Sequence, residues 1–445
     1  MTPGQIIEHA DPLVTEVTIR HRLERGLRIS LFVALCTFLM LGPLALGIVQ
    51  NWSTALFEAG AAVVLLIWMV WQLTASEVRV RWNPLFAPML VFFGLVLVQI
   101  TFHHTAYLYD SLSELWLYIA YGIMAFVAVQ LLRADDILRF GKTMALFGSV
   151  YTVFAVFQGF TSEGRIYWLI KPRAGSVYGS YVNRNHYAGL MELLLPIALV
   201  LAFSASVRGG KRVLLVFAAT LMAASVFLCQ SRGGMFAVIV ETVFLAIFWM
   251  RQFSPRKAAA VFVAFSLVTA LFLAWIAPQQ VGARITDIHD PARWLIHRDS
   301  IRMFVAHPFL GSGFGCFATA FPRYRAFYDG FFINHAHDDY LELLLETGLA
   351  GFGVAVWFIV VLYREGLRNL RSARLSPAAL MSTAALAGCT GLLAHSFLDF
   401  NLHIPANAAL FYVLCAIATA PIVSRNRSNS NSYKERTGCF PSSLR

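Results

Sequence analysis

Residues 53–73 have the sequence STALFEAGAAVVLLIWMVWQL, and this stretch decides the fold class. Its 21 positions contain one charged residue, Glu58. A helix rises 1.5 Å per residue, so about 20 apolar residues are enough to cross the ~30 Å hydrocarbon core of a bilayer. We therefore interpret 53–73 as a transmembrane helix.

Stretches of similar length and character recur along the whole chain of 445 residues. They occupy 30–49, 84–102, 113–132, 142–159, 184–206, 212–229, 233–250, 257–277, 341–363, 376–399 and 404–423. The composition agrees, because 58% of the residues are apolar, only 13% are charged, and a soluble domain carries about 25% charged residues. The sequence predicts an all-α polytopic membrane protein of about twelve transmembrane helices.

The distribution of Lys and Arg predicts the orientation of these helices. If the N-terminus is inside, the inner segments carry 24 of the 35 basic residues and the outer segments carry 11. The short connections 207–212 and 251–257 are strongly basic, whereas 103–112 contains no Lys or Arg. Cytoplasmic loops are enriched in basic residues, so both termini are predicted to be cytoplasmic. The basic residues of these cytoplasmic loops explain the net charge of +11, so we expect no nucleic-acid partner.

This orientation predicts the organisation of the chain. It consists of a cytoplasmic arm 1–29, spans one to nine within 30–277, a periplasmic loop 278–340, spans ten to twelve within 341–423, and a disordered cytoplasmic tail 424–445. The periplasmic loop is too short to hold a core of its own, so we expect it to form short helices on the bundle. The six cysteines form no CxxC or CxxH pattern, and no metal site is predicted from them.

The eleven outer cations indicate where an anion could bind. They lie in or beside three segments: 160–183, which contains Arg173; 230–234, which contains Arg232; and 278–340, which contains Arg293. Basic residues are unfavoured on this side of the membrane, so a local interaction must account for them. An anionic ligand bound at the outer face would account for them.

Glu192 and His395 are ionisable residues that fall within predicted spans. An ionisable group at bilayer depth costs about 2.5–3.5 kcal/mol, so both are expected to face the interior of the bundle. Hydrogen bonding between helices and a functional role both remain open for this pair. Asp399, at the outer end of the eleventh span, is a stronger candidate for the site.

Three motifs resemble the O-antigen ligase and polymerase superfamily in their order. They are SRGG at 231–234, HPFLGSGFG at 307–315 and HAHDDYLELLLETG at 335–348. RAGSVYGSYVNRNHYAG at 173–189 resembles that family's Gly/Asn-rich segment, and HSFLDFNLHIPAN at 395–407 recurs among its exopolysaccharide members. The resemblance extends over roughly residues 140–420.

The resemblance implies an activity and a set of site residues. Family members transfer a glycan from undecaprenyl diphosphate to an acceptor hydroxyl at the periplasmic face of the bacterial inner membrane, with neither a metal ion nor another cofactor. By this resemblance Arg232 and Arg293 bind the diphosphate, and His337 is the essential histidine. The family usually has Asn where this chain has Asp338.

The chemistry of these residue types agrees with the implied roles. An arginine is always protonated and forks onto two phosphate oxygens, so a pair of arginines can stabilise a diphosphate leaving group. A histidine titrates near neutral pH and can take the proton from an attacking hydroxyl, and a single displacement of this kind inverts the anomeric centre.

Each assignment has an alternative. Arg232 could lie at the lipid interface, Arg293 could be one solvated charge among several, and His337 could cap the tenth span. The further substrate-binding candidates are Arg173, Asn185, His335 and Asp399. Loop structure is the alternative role for Arg173 and Asn185, and a structural role is favoured for His335.

The function also has alternatives. A ligase passes the glycan to a lipid A–core acceptor, a polymerase passes it to a growing glycan, and some relatives glycosylate proteins. A membrane transporter or flippase is the alternative from another class, since twelve spans suit it. A transporter should, however, place ionisable groups near the bilayer midplane. A purely structural membrane protein would leave the outer cations without a purpose.

The orientation makes a direct prediction. Reporter fusions at Gly209 should report the cytoplasm, and fusions at Ser312 should report the periplasm, because the first lies in a basic connection and the second in the long outer loop. If both fusions report the same side, the predicted orientation is wrong.

Overall fold

The computed structural model describes residues 12–74, 77–173, 175–204, 207–252, 255–276, 291–328, 330–372 and 376–421. Over these residues the fold is helical. The fourteen α-helices of the described residues are α1 (Pro12–Leu44), α2 (Asn51–Thr74), α3 (Phe86–Thr101), α4 (Leu108–Leu131), α5 (Ala134–Thr161), α6 (Arg184–Phe203), α7 (Gly210–Leu228), α8 (Arg232–Gln252), α9 (Pro255–Ile276), α10 (Pro291–Ala306), α11 (Phe317–Ala320), α12 (Asp339–Ser372), α13 (Pro377–His395) and α14 (Pro405–Thr419).

Nine helices in the described part of the chain are long and apolar enough to cross a bilayer. Three shorter apolar helices, Phe86–Thr101, Phe262–Leu271 and Pro405–Thr419, accompany them. The prediction of an all-α polytopic membrane protein is confirmed, whereas the count of twelve spans stays a prediction. The predicted tail 424–445 lies outside the described residues.

The first helix differs from its predicted bounds. It begins at Pro12, within the predicted arm 1–29, and ends at Leu44 rather than near 49. The chain turns there because Leu46, Gly47 and Ile48 have positive φ angles, which a continuing helix cannot contain.

Two helices, α6 and α13, form the centre of the bundle. In the most apolar 18-residue stretch of each helix, 94% of the residues of α6 and 89% of those of α13 are buried, compared with 33% in α2. The two helices pack against each other, and α5, α7, α8, α12 and α14 surround them. A polar group on α6 or α13 therefore has to find its partners inside the protein.

The described part of the connection between α9 and α12 packs against the beginning of α12. Residues 291–328 form α10, α11 and a 3₁₀ turn at Phe321–Arg323. Met303, Phe317 and Phe321 form a small apolar cluster with Leu345 of α12. This cluster fixes α10 against the beginning of α12.

Two of the quoted motifs dock on each other through their backbones. The N–H groups of 312 and 313 donate to the carbonyls of 345 and 346 at 3.0 Å. The N–H groups of 349 and 350 donate to the carbonyls of 308 and 309 at 2.9 and 3.1 Å. The segment 307–315 thereby holds the first turns of α12, which follow His337 directly.

This close approach requires glycine at position 348. Gly348 has a φ of +61°, and a Cβ there would lie 2.3 Å from the carbonyl carbon of Phe309. A left-handed conformation costs about 1–2 kcal/mol for a residue with a side chain, and the contact adds to this cost.

We therefore expect Gly348→Ala to lower the free energy of unfolding by at least about 2 kcal/mol. Thermal unfolding of the purified protein in detergent measures the effect. Gly353→Ala is the matched control, because Gly353 lies in the same helix and a Cβ there meets nothing within 4 Å. Equal stability of the two variants would contradict the role of this contact.

Candidate functional site

Asp399 gathers residues from three distant segments of the chain. It lies in the connection between α13 and α14, just beyond the candidate span Ala378–His395, and is fully buried. The side-chain amide of Asn185 donates to its Oδ2, and Nη2 of Arg293 lies 3.8 Å from the same oxygen. Nδ1 of His337 lies 3.5 Å from Oδ1, which also accepts the N–H of Phe400 at 2.9 Å. The structure therefore brings four sequence-predicted residues together.

The charge of Asp399 is stabilised by these neighbours. Burial alone would raise the pKa of this carboxyl. The contact with His337 and the positive charge of nearby histidines oppose burial and hold the pKa of Asp399 well below its usual range. Asp399 is therefore ionised at neutral pH and can orient a cation or an imidazole N–H.

The two neighbouring histidines face different partners. His337 has a φ of +57°, a left-handed conformation that turns its ring toward Asp399. His335 instead places Nδ1 2.8 Å from Oε1 of Glu342. The rings of both histidines contact Phe400, with centroid distances of 4.1 Å for His335 and 5.0 Å for His337. The two histidines therefore contact different carboxylates, Asp399 and Glu342.

Next to Asp399 lies a polar pocket of about 210 Å³. Its basic lining consists of Arg184, Arg232, Arg293 and His395, and its neutral lining is Gly175, Ser176, Asn183, Asn185, Gln230, Gly233 and Leu398. The helices α6 and α8 begin at Arg184 and Arg232, so two helix N-termini meet at this pocket. Backbone N–H groups and the positive end of the helix dipole favour anions at such a point.

Arg293 connects the pocket to His337. Its guanidinium donates to the carbonyl of Leu398 and lies beside Asp399, and the same side chain lines the pocket. A ligand held by Arg293 would therefore lie near the carboxylate that orients His337. The alternative of a fully solvated Arg293 does not fit, because only 29% of its side chain is exposed.

Two residues that sequence reasoning did not propose for the site lie at this pocket. Arg184 begins α6 and its Nη1 donates to Oε1 of Gln230 at 3.3 Å. The available signal was its place among the outer cations. His395 is the second: it is fully buried with Glu192, and its Nδ1 lies 2.7 Å from Oε1 of that residue. The prediction that Glu192 and His395 face the interior is confirmed.

Arg173 does not reach the pocket in this structure. Its side chain is exposed, and the pocket is lined instead by Gly175 and Ser176 of the same segment. Its role in binding stays a prediction.

Asp338 caps α12. Its Oδ1 accepts the backbone N–H groups of Tyr340 and Leu341, both at 3.0 Å. Burial raises the pKa of this carboxyl, and the two hydrogen bonds oppose that rise. An asparagine oxygen can accept the same bonds, which explains how Asp338 replaces the Asn of the family motif.

One group in the described residues has the donor set of a metal site. His335, Glu342 and His403 place their ligand atoms within 4.8 Å of one another. Nδ1 of His335 lies 2.8 Å from Oε1 of Glu342, and Nε2 of His403 lies 3.5 Å from the same oxygen. Nδ1 of His403 lies 2.8 Å from Oδ1 of Asp339, so these contacts join the start of α12 to the segment before α14.

The two aspartates give a matched prediction. Asp399→Asn removes a buried charge and leaves Arg293 and His337 without their anionic partner, so we expect a loss of about 3 kcal/mol in unfolding free energy. Asp338→Asn keeps the cap and should change stability by less than about 0.5 kcal/mol. Thermal unfolding at neutral pH measures both. Equal effects of the two substitutions would contradict the central position of Asp399.

Comparison with known families agrees with the motifs. Residues 217–356 match the family Wzy_C, described as O-antigen ligase. The matched segment includes Arg232, Arg293, His335 and His337 and ends before Asp399. No curated protein matches the chain. The resemblance is confirmed over the matched segment, so this polytopic membrane protein contains an O-antigen ligase family domain at residues 217–356.

Proposed function

We propose that this protein is a glycosyltransferase that moves a glycan from undecaprenyl diphosphate to the hydroxyl of an acceptor sugar. The observation that carries the proposal is the arginine-lined pocket beside Asp399 and His337. The matched ligase family domain supports the same activity. The pocket supplies a place for the leaving group, and the histidine supplies a base.

The diphosphate binds among Arg184, Arg232 and Arg293. Three guanidinium groups and two helix N-termini offset the negative charge that the leaving group gains in the transition state. This arrangement performs the electrostatic task that a divalent cation performs in many phosphate-binding enzymes. We therefore propose a metal-independent reaction.

His337 accepts the proton of the attacking hydroxyl. Its Nδ1 faces Asp399 at 3.5 Å, so the carboxylate favours the tautomer with a proton on Nδ1 and leaves Nε2 free to act as the base. The hydroxyl oxygen then attacks the anomeric carbon as the diphosphate departs. One displacement inverts that centre.

The proposal includes a location and partners. The site faces the periplasm at the bacterial inner membrane, with both termini in the cytoplasm, and the acceptor is lipid A–core for a ligase or a growing glycan for a polymerase.

The transporter alternative predicts a site near the bilayer midplane. The three arginines, Asp399 and His337 instead lie at or beyond helix ends, which favours chemistry at the membrane surface.

Purified protein incubated with an undecaprenyl-diphosphate glycan and candidate acceptors should form a glycosylated acceptor and release undecaprenyl diphosphate, also in the presence of EDTA.

Arg232→Lys and Arg293→Lys should each reduce turnover at least about tenfold, because lysine keeps the charge but loses the two-pronged contact, and alanine should reduce it further. His337→Ala should abolish transfer while donor binding persists, and His335→Ala should be much milder.

Arg165→Lys and Arg165→Ala are the matched arginine controls, since Arg165 is an exposed cation that does not line the pocket. An active His337→Ala together with an inactive His335→Ala would mean that the wrong histidine is assigned. Restoration of EDTA-inhibited activity by a divalent cation would contradict the metal-independent reaction and point to His335, Glu342 and His403.

A further inference from the structure

A buried acid–imidazole pair lies behind the arginine pocket. Glu192 is 0% exposed and His395 is 1% exposed, and Oε1 of Glu192 lies 2.7 Å from Nδ1 of His395. The two residues belong to α6 and α13, the central helices of the bundle. His395 is one of the residues that line the pocket.

The backbone of α8 comes close to the far edge of the His395 ring. A Cβ added to Gly233 would lie 2.3 Å from Cδ2 and 2.4 Å from Nε2 of His395. Because residue 233 is a glycine, the Nε2 edge of the His395 ring can lie against the start of α8, next to Arg232 in the chain. His395 and Gly233 both line the pocket, and the Nε2 edge of the ring lies against Gly233.

A hydrogen bond between helices accounts for Nδ1 of His395 and Oε1 of Glu192. It does not account for Nε2 of His395, which is also buried and has no hydrogen-bond partner among the described residues. A buried polar nitrogen without a partner is unfavourable, and proteins rarely retain one without a reason. Because His395 lines the arginine pocket, its position indicates that an oxygen of a bound ligand accepts the missing hydrogen bond from Nε2.

We propose that His395, held by Glu192, donates a proton from Nε2 to the diphosphate oxygen that leaves the glycan. This inference rests on the proposed function and assigns a second proton-transfer group to the same site. His395 would then be a catalytic residue, because it touches the leaving group, whereas Glu192 is a positioning residue that acts through His395.

The proton balance of the step is complete. The bond between the anomeric carbon and the phosphate oxygen breaks, and its electron pair stays on that oxygen, which takes the Nε2 proton of the His395 imidazolium. The acceptor oxygen bonds to the anomeric carbon, and its proton passes to His337. His395 ends neutral, with its remaining proton on Nδ1 and donated in a hydrogen bond to Glu192, and both histidines exchange protons with solvent once the products leave.

The carboxylate of Glu192 favours an imidazolium at His395 in the resting site. The negative charge of Glu192 lies in direct contact in a buried region, where electrostatic interactions are strong. Among the described residues, the other titratable or charged groups near this pair are His186 and Arg184 from α6, Cys229 at the end of α7, Arg232 and Glu241 from α8, Arg293 from α10, Asp339 from α12, and Asp399 beyond α13. A bound diphosphate adds further negative charge beside Nε2.

The dependence of turnover on pH tests the proposal with the full-length protein and an undecaprenyl-diphosphate glycan donor. The wild-type rate should fall at alkaline pH as His395 loses its proton. His395→Gln should reduce kcat about 100-fold and remove the alkaline fall. Glu192→Gln should keep the hydrogen-bond acceptor but shift the alkaline fall to lower pH, because the carboxylate charge no longer stabilises the imidazolium.

A structural role predicts a different result. If His395→Gln folds and keeps the wild-type rate or the wild-type alkaline limb, the proposal is wrong. Should His395→Gln fail to fold, Glu192→Gln decides the question, and an unchanged alkaline limb in that variant overturns the proposal. Binding of undecaprenyl diphosphate, measured separately, should persist in both variants. Failure of the proposed function is distinguishable, because the wild-type protein would then transfer no glycan at any pH.

Discussion

A buried carboxylate keeps its charge only if the protein replaces the water that it has lost, and Asp399 is such a carboxylate at the centre of the site. Its partners come from three parts of the chain: Asn185 at the start of α6, Arg293 in α10, and His337 just before α12. Because all three partners lie against the same carboxylate, their contacts with it also set the distance between the arginine pocket and the histidine. Electrostatic preorganisation of this kind reduces the reorganisation that a reaction requires.

The surrounding fold fixes the segments that carry these partners. Backbone hydrogen bonds between 307–315 and 345–350, with Gly348 at their closest approach, hold the start of α12, and Asp338 caps that helix. The side chain of Asp339 accepts from Ser396 at 2.7 Å and thereby ties α12 to the connection that contains Asp399. These contacts give His337 a fixed position although its own backbone conformation is unfavourable.

The sequence was sufficient for features that depend on local composition. Apolar length predicts the spanning helices, and the family resemblance of the motifs points to Arg232 and Arg293, both of which line the pocket. Features that depend on helix packing could not be predicted in this way. The contact between Glu192 and His395 joins residues 203 positions apart, and it exists because α6 packs on α13. Arg184 is one of the cations predicted to lie on the outer side, but only the meeting of the α6 and α8 N-termini gives it a place in the pocket. The start of α1 at Pro12 has another cause, since a polar helix can continue beyond the bilayer where water satisfies its side chains.

The central claim is that one anion site, next to Asp399, holds the diphosphate of the donor. A cryo-electron microscopy structure of the protein with undecaprenyl diphosphate tests it most directly. The account predicts density for both phosphates among Arg184, Arg232 and Arg293, with an oxygen within hydrogen-bond distance of Nε2 of His395. Diphosphate density elsewhere, for example beside His335, Glu342 and His403, with the arginine pocket unoccupied, would contradict it.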